Sequence, residues 1–346
     1  MKKNIGKALK LLLFLGIGIF FIWLFVRNLT PAQKRDIYES FTQADFTWFY
    51  ISMVVGIFSH YIRAMRWKML FKPMGYHPSN KNMIMAVFIA YLANLALPRL
   101  GEVSRCGTLT RYEKIPFQKG IGTVITERAL DMITFIFLFL ITVAIHFNKL
   151  QNYLNERVLT PLNDKLDTLQ HANFIFFIII ALLIGGIIYL YKIRNRFEHL
   201  YIYIKFREIL KGLLEGIKSL LKMERPWLFI LYTLLIWGSY WLMTHVVFMS
   251  MDETANLGFN ASLVVLMFGS IGIILVQGGI GLYPAIVAET LVLYNIPEVN
   301  GYALGWLLWS AQQLIIIAIG SLSFGLLPLL NKSKDEQLRY HTIQDS

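Results

Sequence analysis

Apolar runs long enough to cross a bilayer recur from one end of this chain to the other, and they constrain its fold more than any other feature. A helical span needs about 20 residues. Candidate segments lie at 46–67, 82–98, 120–147, 173–191, 226–250, 260–277, 282–295 and 301–330. Ala8 to Val26 precedes them, behind Lys2, Lys3 and Lys7 and with Lys10 in its first turn. Signal-peptide cores run only about 7–15 residues and end at small residues. This run is longer and ends at Arg27, so it reads as a retained first span. The composition agrees, with 56% hydrophobic and 16% charged residues, against about 25% charged in a soluble domain. The whole chain is therefore no soluble enzyme, nucleic-acid-binding domain or disordered scaffold. Its basic excess, 33 Lys and Arg against 21 Asp and Glu, sits beside the apolar runs, as in cytoplasmic loops, so no nucleic-acid partner is expected. A single cysteine, Cys106, excludes an intrachain disulfide and cysteine-based metal clusters.

Charge sets the expected topology. Basic residues gather in cytoplasmic loops. Residues 63–81 carry Arg63, Arg66, Lys68, Lys72 and Lys81 without an acid, and 192–225 carry nine basic against four acidic groups. By contrast, 251–259 is acidic through Asp252 and Glu253. If every segment crossed once, the basic stretches 99–119 and 192–225 would both lie outside. The conflict disappears if 82–110 dips in and returns to the inner face, and if 260–296, broken by Gly278, Gly279, Gly281 and Pro284, dips from the outer face. The expected architecture is an all-α polytopic membrane protein with six full spans and two broken re-entrant segments. It reads as one integral membrane domain over 1–346, built as an inverted repeat of the kind that marks transporter binding sites. Its first half is 1–191, its second half 226–330, and 331–346 is a polar cytoplasmic tail. Between the halves, 192–225 places Ile193, Phe197, Leu200, Ile204 and further apolar residues at helical spacing among Lys and Arg. That pattern fits an amphipathic linker helix on the inner leaflet.

Charges at membrane depth cost about 2.5–3.5 kcal/mol each on insertion scales, so they mark function or a buried network. Arg63 and Arg66, with His60, share a face at the inner end of the second segment; taken alone they fit an ordinary basic rim. Next comes Asn94, followed by Leu97-Pro98-Arg99-Leu100-Gly101-Glu102 and Arg105. Pro98 and Gly101 break a helix where only a cavity or protein interior tolerates freed backbone groups. Glu102 and Arg105 stand one turn apart and can neutralise each other, while Arg99 and Arg105 offer guanidinium forks suited to phosphate. The third group is Glu127-Arg128-x-x-Asp131, with Arg128 close enough to pair with Asp131 at i+3. In the second half, Gln277-Gly278-Gly279-Ile280-Gly281 gives an exposed backbone whose amides could hold an anion. His245, Glu289, Gln312 and Gln313 fit interhelical hydrogen bonding better than ligand binding. No Walker A sequence, His-Glu-x-x-His, Gly-x-Ser-x-Gly or EF-hand loop occurs.

At these positions the chain resembles the lysylphosphatidylglycerol synthase/flippase transmembrane-domain family. The resemblance rests on Arg63-x-x-Arg66-Trp67, Asn94 with Leu97-Pro98-Arg99-x-Gly101-Glu102-x-x-Arg105, Glu127-Arg128-x-x-Asp131 and Gly278-Gly279-x-Gly281. The last motif departs from the family's usual Pro before the glycines and Glu soon after; here Val276-Gln277 precede, Leu282-Tyr283-Pro284 follow, and Glu289 lies further on. The resemblance implies a multi-pass protein of a bacterial inner membrane, with both termini cytoplasmic. It would move, or help to present, an anionic phospholipid or lipid-linked headgroup between leaflets. Fused relatives carry a soluble aminoacyl-transferase domain, for which the few residues after Leu330 leave no room, so synthase activity is not expected. The leading expectation is a flippase-like transporter, not an enzyme, with no cofactor and no metal. Its substrate-binding residues would be Arg63, Arg66, Asn94, Arg99, Glu102, Arg105, Glu127, Arg128, Asp131, Gln277, Gly278, Gly279 and Gly281. A membrane-embedded enzyme acting on lipid headgroups and a non-transporting partner of lipid synthesis are the alternatives. Association into a homo-oligomer is left open.

Overall fold

A computed structural model describes residues 30–97, 99–154 and 223–331, together with Trp23 and Arg27. The expected spans 8–26 and 173–191, the linker 192–225 up to its last three residues, and the tail beyond Asn331 lie outside the described residues. Among those described, the structure is all-helical. Its elements are α1 (Pro31–Gln43), α2 (Phe46–Met69), α3 (Asn80–Ala96), α4 (Leu100–Glu113), α5 (Phe117–Ile145) and α6 (Phe147–Leu154). After the undescribed segment come α7 (Pro226–Phe248), α8 (Asp252–Ala255), α9 (Phe259–Leu275), α10 (Leu282–Val292) and α11 (Glu298–Leu330). Of these, α5, α7 and α11 are long and apolar enough to cross a membrane, while α9 and α10 are shorter apolar helices. Helix α2 has 24 residues, but Arg63, Arg66 and Lys68 weight its last turns.

Helix ends follow local chemistry. Asp45 caps α2 by accepting from the Thr47 amide at 2.9 Å. From there α2 runs antiparallel to α7: the Asp45 amide donates to the Ser250 carbonyl at 2.8 Å, and the Ser52 hydroxyl to the Met243 carbonyl at 3.3 Å. Helices α3 and α4 form a hairpin closed at both ends. At its base the Glu113 carboxylate accepts from the Ser79 amide at 3.2 Å and from Asn82 at 2.5 Å. At its tip the Gly101 amide donates to Asn94 Oδ1 at 2.7 Å. The two backbones touch so closely there that a Cβ on Gly101 would lie 2.1 Å from the Ala90 carbonyl oxygen. Only glycine fits.

Helices α9 and α10 form a second hairpin, and its tip repeats features of the first. The residue ending α3, Leu97, is extended (φ −146°, ψ 134°) and its amide donates to the Ala93 carbonyl; Val276, ending α9, is extended (φ −116°, ψ 132°) and its amide donates to Gly272. Each is followed two residues later by a left-handed residue, Arg99 (φ 65°) in one case and Gly278 (φ 67°) in the other. The long helix α11 spans about 50 Å at 1.5 Å per residue and touches both hairpins from opposite ends. Near its start, Gly301 and Gly305 lie against Ala288 and Pro284 of α10. Near its end, Asn331 exchanges hydrogen bonds with Asn82 at 2.9 and 3.0 Å, and Gly320 lies against Phe88 and Leu92 of α3. Between these contacts the Trp309 indole donates to the Gly278 carbonyl at 2.7 Å, and α3 packs against the 277–279 turn. The tips therefore approach one another beside the middle of α11.

The close approach of α10 and α11 generates a stability test. A Cβ at Gly305 would sit 2.6 Å from Pro284 Cα, whereas one at Gly325 meets nothing within 4 Å. Gly305→Ala should cost about 1–3 kcal/mol through backbone displacement, read as a lowered Tm in detergent. Gly325→Ala should hold or raise Tm, since alanine is the better helix former by about 1 kcal/mol.

Candidate functional site

The charges expected at membrane depth converge on one point between α2, α4, α5 and α7. Glu127, 1% exposed, is its centre. Its Oε1 accepts from Arg63 Nη1 at 2.8 Å and its Oε2 from Arg105 Nη1 at 2.8 Å, so one carboxylate joins three helices. One turn along α5, Asp131 receives Arg63 Nη1 at 2.7 Å and Arg66 Nη2 at 2.6 Å. Hydroxyls of α7 also engage the first two arginines: Arg63 Nη2 donates to Tyr240 at 3.0 Å and Arg66 Nη1 to Thr233 at 3.1 Å. Aromatic faces cover the remaining planes. The Arg66 guanidinium lies 5.3 Å from the Phe229 ring centre and that of Arg105 lies 4.6 Å from Trp67. The Trp67 indole is itself anchored on Thr123 at 2.9 Å.

Several expected pairings are overturned. Glu102 does not neutralise Arg105, and Arg128 does not pair with Asp131. Instead Arg128 Nη2 donates to Glu102 Oε1 at 2.9 Å, linking α5 to α4, while Arg105 and Asp131 belong to the buried cluster. The i+3 spacing was right for neighbours on one helix surface, but the partners come from other helices, where a guanidinium replaces solvation that a same-helix pair leaves in place. The basic-rim reading of Arg63 and Arg66 also fails: they are 6% and 0% exposed. Arg99 is exposed, in the left-handed linker between α3 and α4, and does not converge with Arg105 on one site. Asn94 serves the hairpin tip through Gly101. The glycines of the second hairpin are not among the residues lining the cleft beside the cluster. Gly278, Gly279 and Gly281 all have positive φ, and the Gly279 amide donates to the Val276 carbonyl.

Charge bookkeeping gives the site its character. Among the described residues, Arg63, Arg66 and Arg105 pair with Glu127 and Asp131 alone, so this buried set holds one positive charge in excess. Arg105 Nη2, buried, has no hydrogen-bond partner among the described residues. A cleft opens here, lined by Arg63, Tyr91, Asn94, Gly101, Glu102, Arg105, Glu127 and Arg128 with Val87 and Ala90, and its free volume is only ≈ 10 Å³. Tyr91, Tyr240, Thr233 and Phe229 were not singled out from the sequence; lone hydroxyl and aromatic residues within apolar helices carry no distinguishing local pattern. Trp67 was legible only as the tail of Arg63-x-x-Arg66-Trp67. Among the described residues no cluster of His, Cys, Asp and Glu is arranged to hold a metal.

The sequence profile of the lysylphosphatidylglycerol synthase TM region matches residues 8–320. The chain belongs to that family. A UPF0104 membrane protein of Methanocaldococcus jannaschii is 31% identical over 90 residues, covering 25% of this chain and 27% of that relative. The match thus spans about a quarter of the relative's length. No solved structure matches. Within this lysylphosphatidylglycerol synthase TM-region chain, the motif residues Arg63, Arg66, Arg105, Glu127 and Asp131 are the ones folded into a single buried network.

The two ion-pair environments predict opposite mutational costs. Glu127→Gln leaves three buried guanidiniums facing one carboxylate and should cost about 3–5 kcal/mol or prevent folding. Arg66→Lys should also lower Tm, since one ammonium cannot serve Asp131 and Thr233 with a planar fork. At the Glu102–Arg128 pair, 24% and 52% exposed at the side chain, Arg128→Ala should cost at most about 1 kcal/mol. Thermal unfolding in detergent reads all three.

Proposed function

We propose that the chain is a flippase-like transporter, not an enzyme, that moves an anionic phospholipid or lipid-linked headgroup between the leaflets of a bacterial inner membrane. The observation that carries this reading is the excess guanidinium charge of the buried cluster beside a cleft at a helix break. Burying arginines without matching carboxylates is costly, and a transient phosphate supplies the missing negative charge. Arginine suits phosphate because its planar fork makes two parallel charge-assisted bonds.

The hairpin geometry supports transport over mere binding. Two broken helical hairpins whose tips meet midway along α11 fit re-entrant segments entering from opposite faces, the arrangement that places transporter sites near the midplane. In this reading the complete chain has six full spans, both termini are cytoplasmic, and 148–172 and 251–259 face outward. One half rocks against the other to expose the cleft alternately.

Two experiments test this. In a Cys106→Ser background, a cysteine at Lys114 should react with a membrane-impermeant maleimide only from the cytoplasmic side, and one at Glu253 only from outside. Outside labelling at Lys114 would remove the re-entrant reading. In proteoliposomes, fluorescent phosphatidylglycerol should exchange leaflets with wild-type protein, and Arg105→Lys should reduce that exchange by roughly tenfold or more, the order expected when a charged hydrogen bond is lost. Chemical conversion of the lipid would favour the enzyme reading; neither exchange nor conversion would favour a non-transporting partner of lipid synthesis.

A further inference from the structure

We infer that the cleft reads its headgroup through two atoms of opposite polarity, Arg105 Nη2 and Glu102 Oε2, and so selects phospholipids that carry a hydrogen-bond donor beside the phosphate. The inference rests on the proposed function and sharpens its substrate class. Among the described residues neither atom has a hydrogen-bond partner; both are buried, and both belong to side chains that line the cleft.

Each atom is left over after its neighbour has been used. Arg105 Nη1 is held by Glu127, and its plane is covered by Trp67, so Nη2 is what remains to meet a ligand. Glu102 Oε1 is held by Arg128, leaving Oε2. The two residues stand three apart on α4, where side chains share a face. A buried polar atom left unpaired is unfavourable, and more so when the group is charged. A phosphate alone would answer the arginine and be repelled by the carboxylate. A cation alone would do the reverse. A headgroup with an anionic oxygen and a nearby hydroxyl or ammonium answers both at once. The Glu102–Arg128 pair is also the half-exposed part of the lining, so it can part to enlarge a cleft that is otherwise tight.

Dioctanoyl phosphatidylglycerol and dioctanoyl phosphatidylmethanol make the comparison cleanly, because they carry the same charge and differ in the glycerol hydroxyls. Titrated into the full chain in detergent, phosphatidylglycerol should bind wild type about tenfold more tightly, the order expected for one hydrogen bond to a charged group. Glu102→Ala should bring phosphatidylglycerol down to the affinity of phosphatidylmethanol. Arg128→Gln removes the ion pair but keeps the carboxylate, so the preference should survive in it. Equal wild-type affinities, no binding of either lipid, or an equal loss of both in Glu102→Ala overturns the inference. Leaflet exchange run in parallel separates it from the function beneath it. Selective binding without exchange rejects the transporter and keeps the two-atom reading, whereas exchange without selectivity rejects the two-atom reading alone.

Discussion

The arrangement turns on the Glu127 carboxylate, which accepts from Arg63 on one side and Arg105 on the other. Buried ion pairs rarely add net stability, because desolvation offsets the attraction. What they do impose is register: an arginine that leaves its carboxylate in a dry interior strands two charges. Here that condition locks α2, α4 and α5 together at one level, and the hydroxyls of Tyr240 and Thr233 extend the lock to α7. The first hairpin is held in turn, because α4 cannot slide without pulling Arg105 from Glu127. Its tip, tied through Asn94 and Gly101, is thereby positioned where the cleft opens.

The imbalance in that lock links stability to function. A cluster designed only for cohesion would pair its charges evenly, as the Glu102–Arg128 bridge does. Three guanidiniums on two carboxylates instead leave one positive charge unmatched among the described residues, which is the charge the proposed phosphate would answer. The second hairpin carries one charged residue, the exposed Glu289, and no matching cluster. Its contribution is geometric, a glycine turn held by Trp309 and brought against α3, so the two halves differ in chemistry while resembling one another in backbone form.

Much of the helical layout was legible because apolar length is what lipid selects. Segment 46–67 appears as Phe46–Met69, 120–147 as Phe117–Ile145 and 226–250 as Pro226–Phe248. The polar helix α1 escaped notice, since Pro31–Gln43 has no apolar run and shelters only residues such as Ile37 and Phe41 against the core. The identity of the charged residues was legible from the cost of charge at depth, but their partners were not. Spacing rules see neighbours within one helix, whereas Arg63 meets residues 64 and 68 positions away and Arg128 meets one 26 positions away. Arg66 was misread for the same reason, because the groups that bury it, Thr233 and Phe229, lie across the interface on α7. The second break was legible in its glycines, since few other residues tolerate left-handed backbone, whereas in the first hairpin the left-handed residue is Arg99 and Gly101 serves the close approach to Ala90.

Transport as proposed requires a lipid phosphate to bind at the buried arginine cluster. An electron cryomicroscopy structure of the full chain in nanodiscs containing phosphatidylglycerol tests it most directly. Headgroup density is expected in the cleft, with a phosphate oxygen within hydrogen-bond distance of Arg105 and the Arg63–Glu127–Asp131 bridge still formed. Ordered lipid phosphates found only elsewhere on the protein, beside a cluster closed on itself, would contradict it.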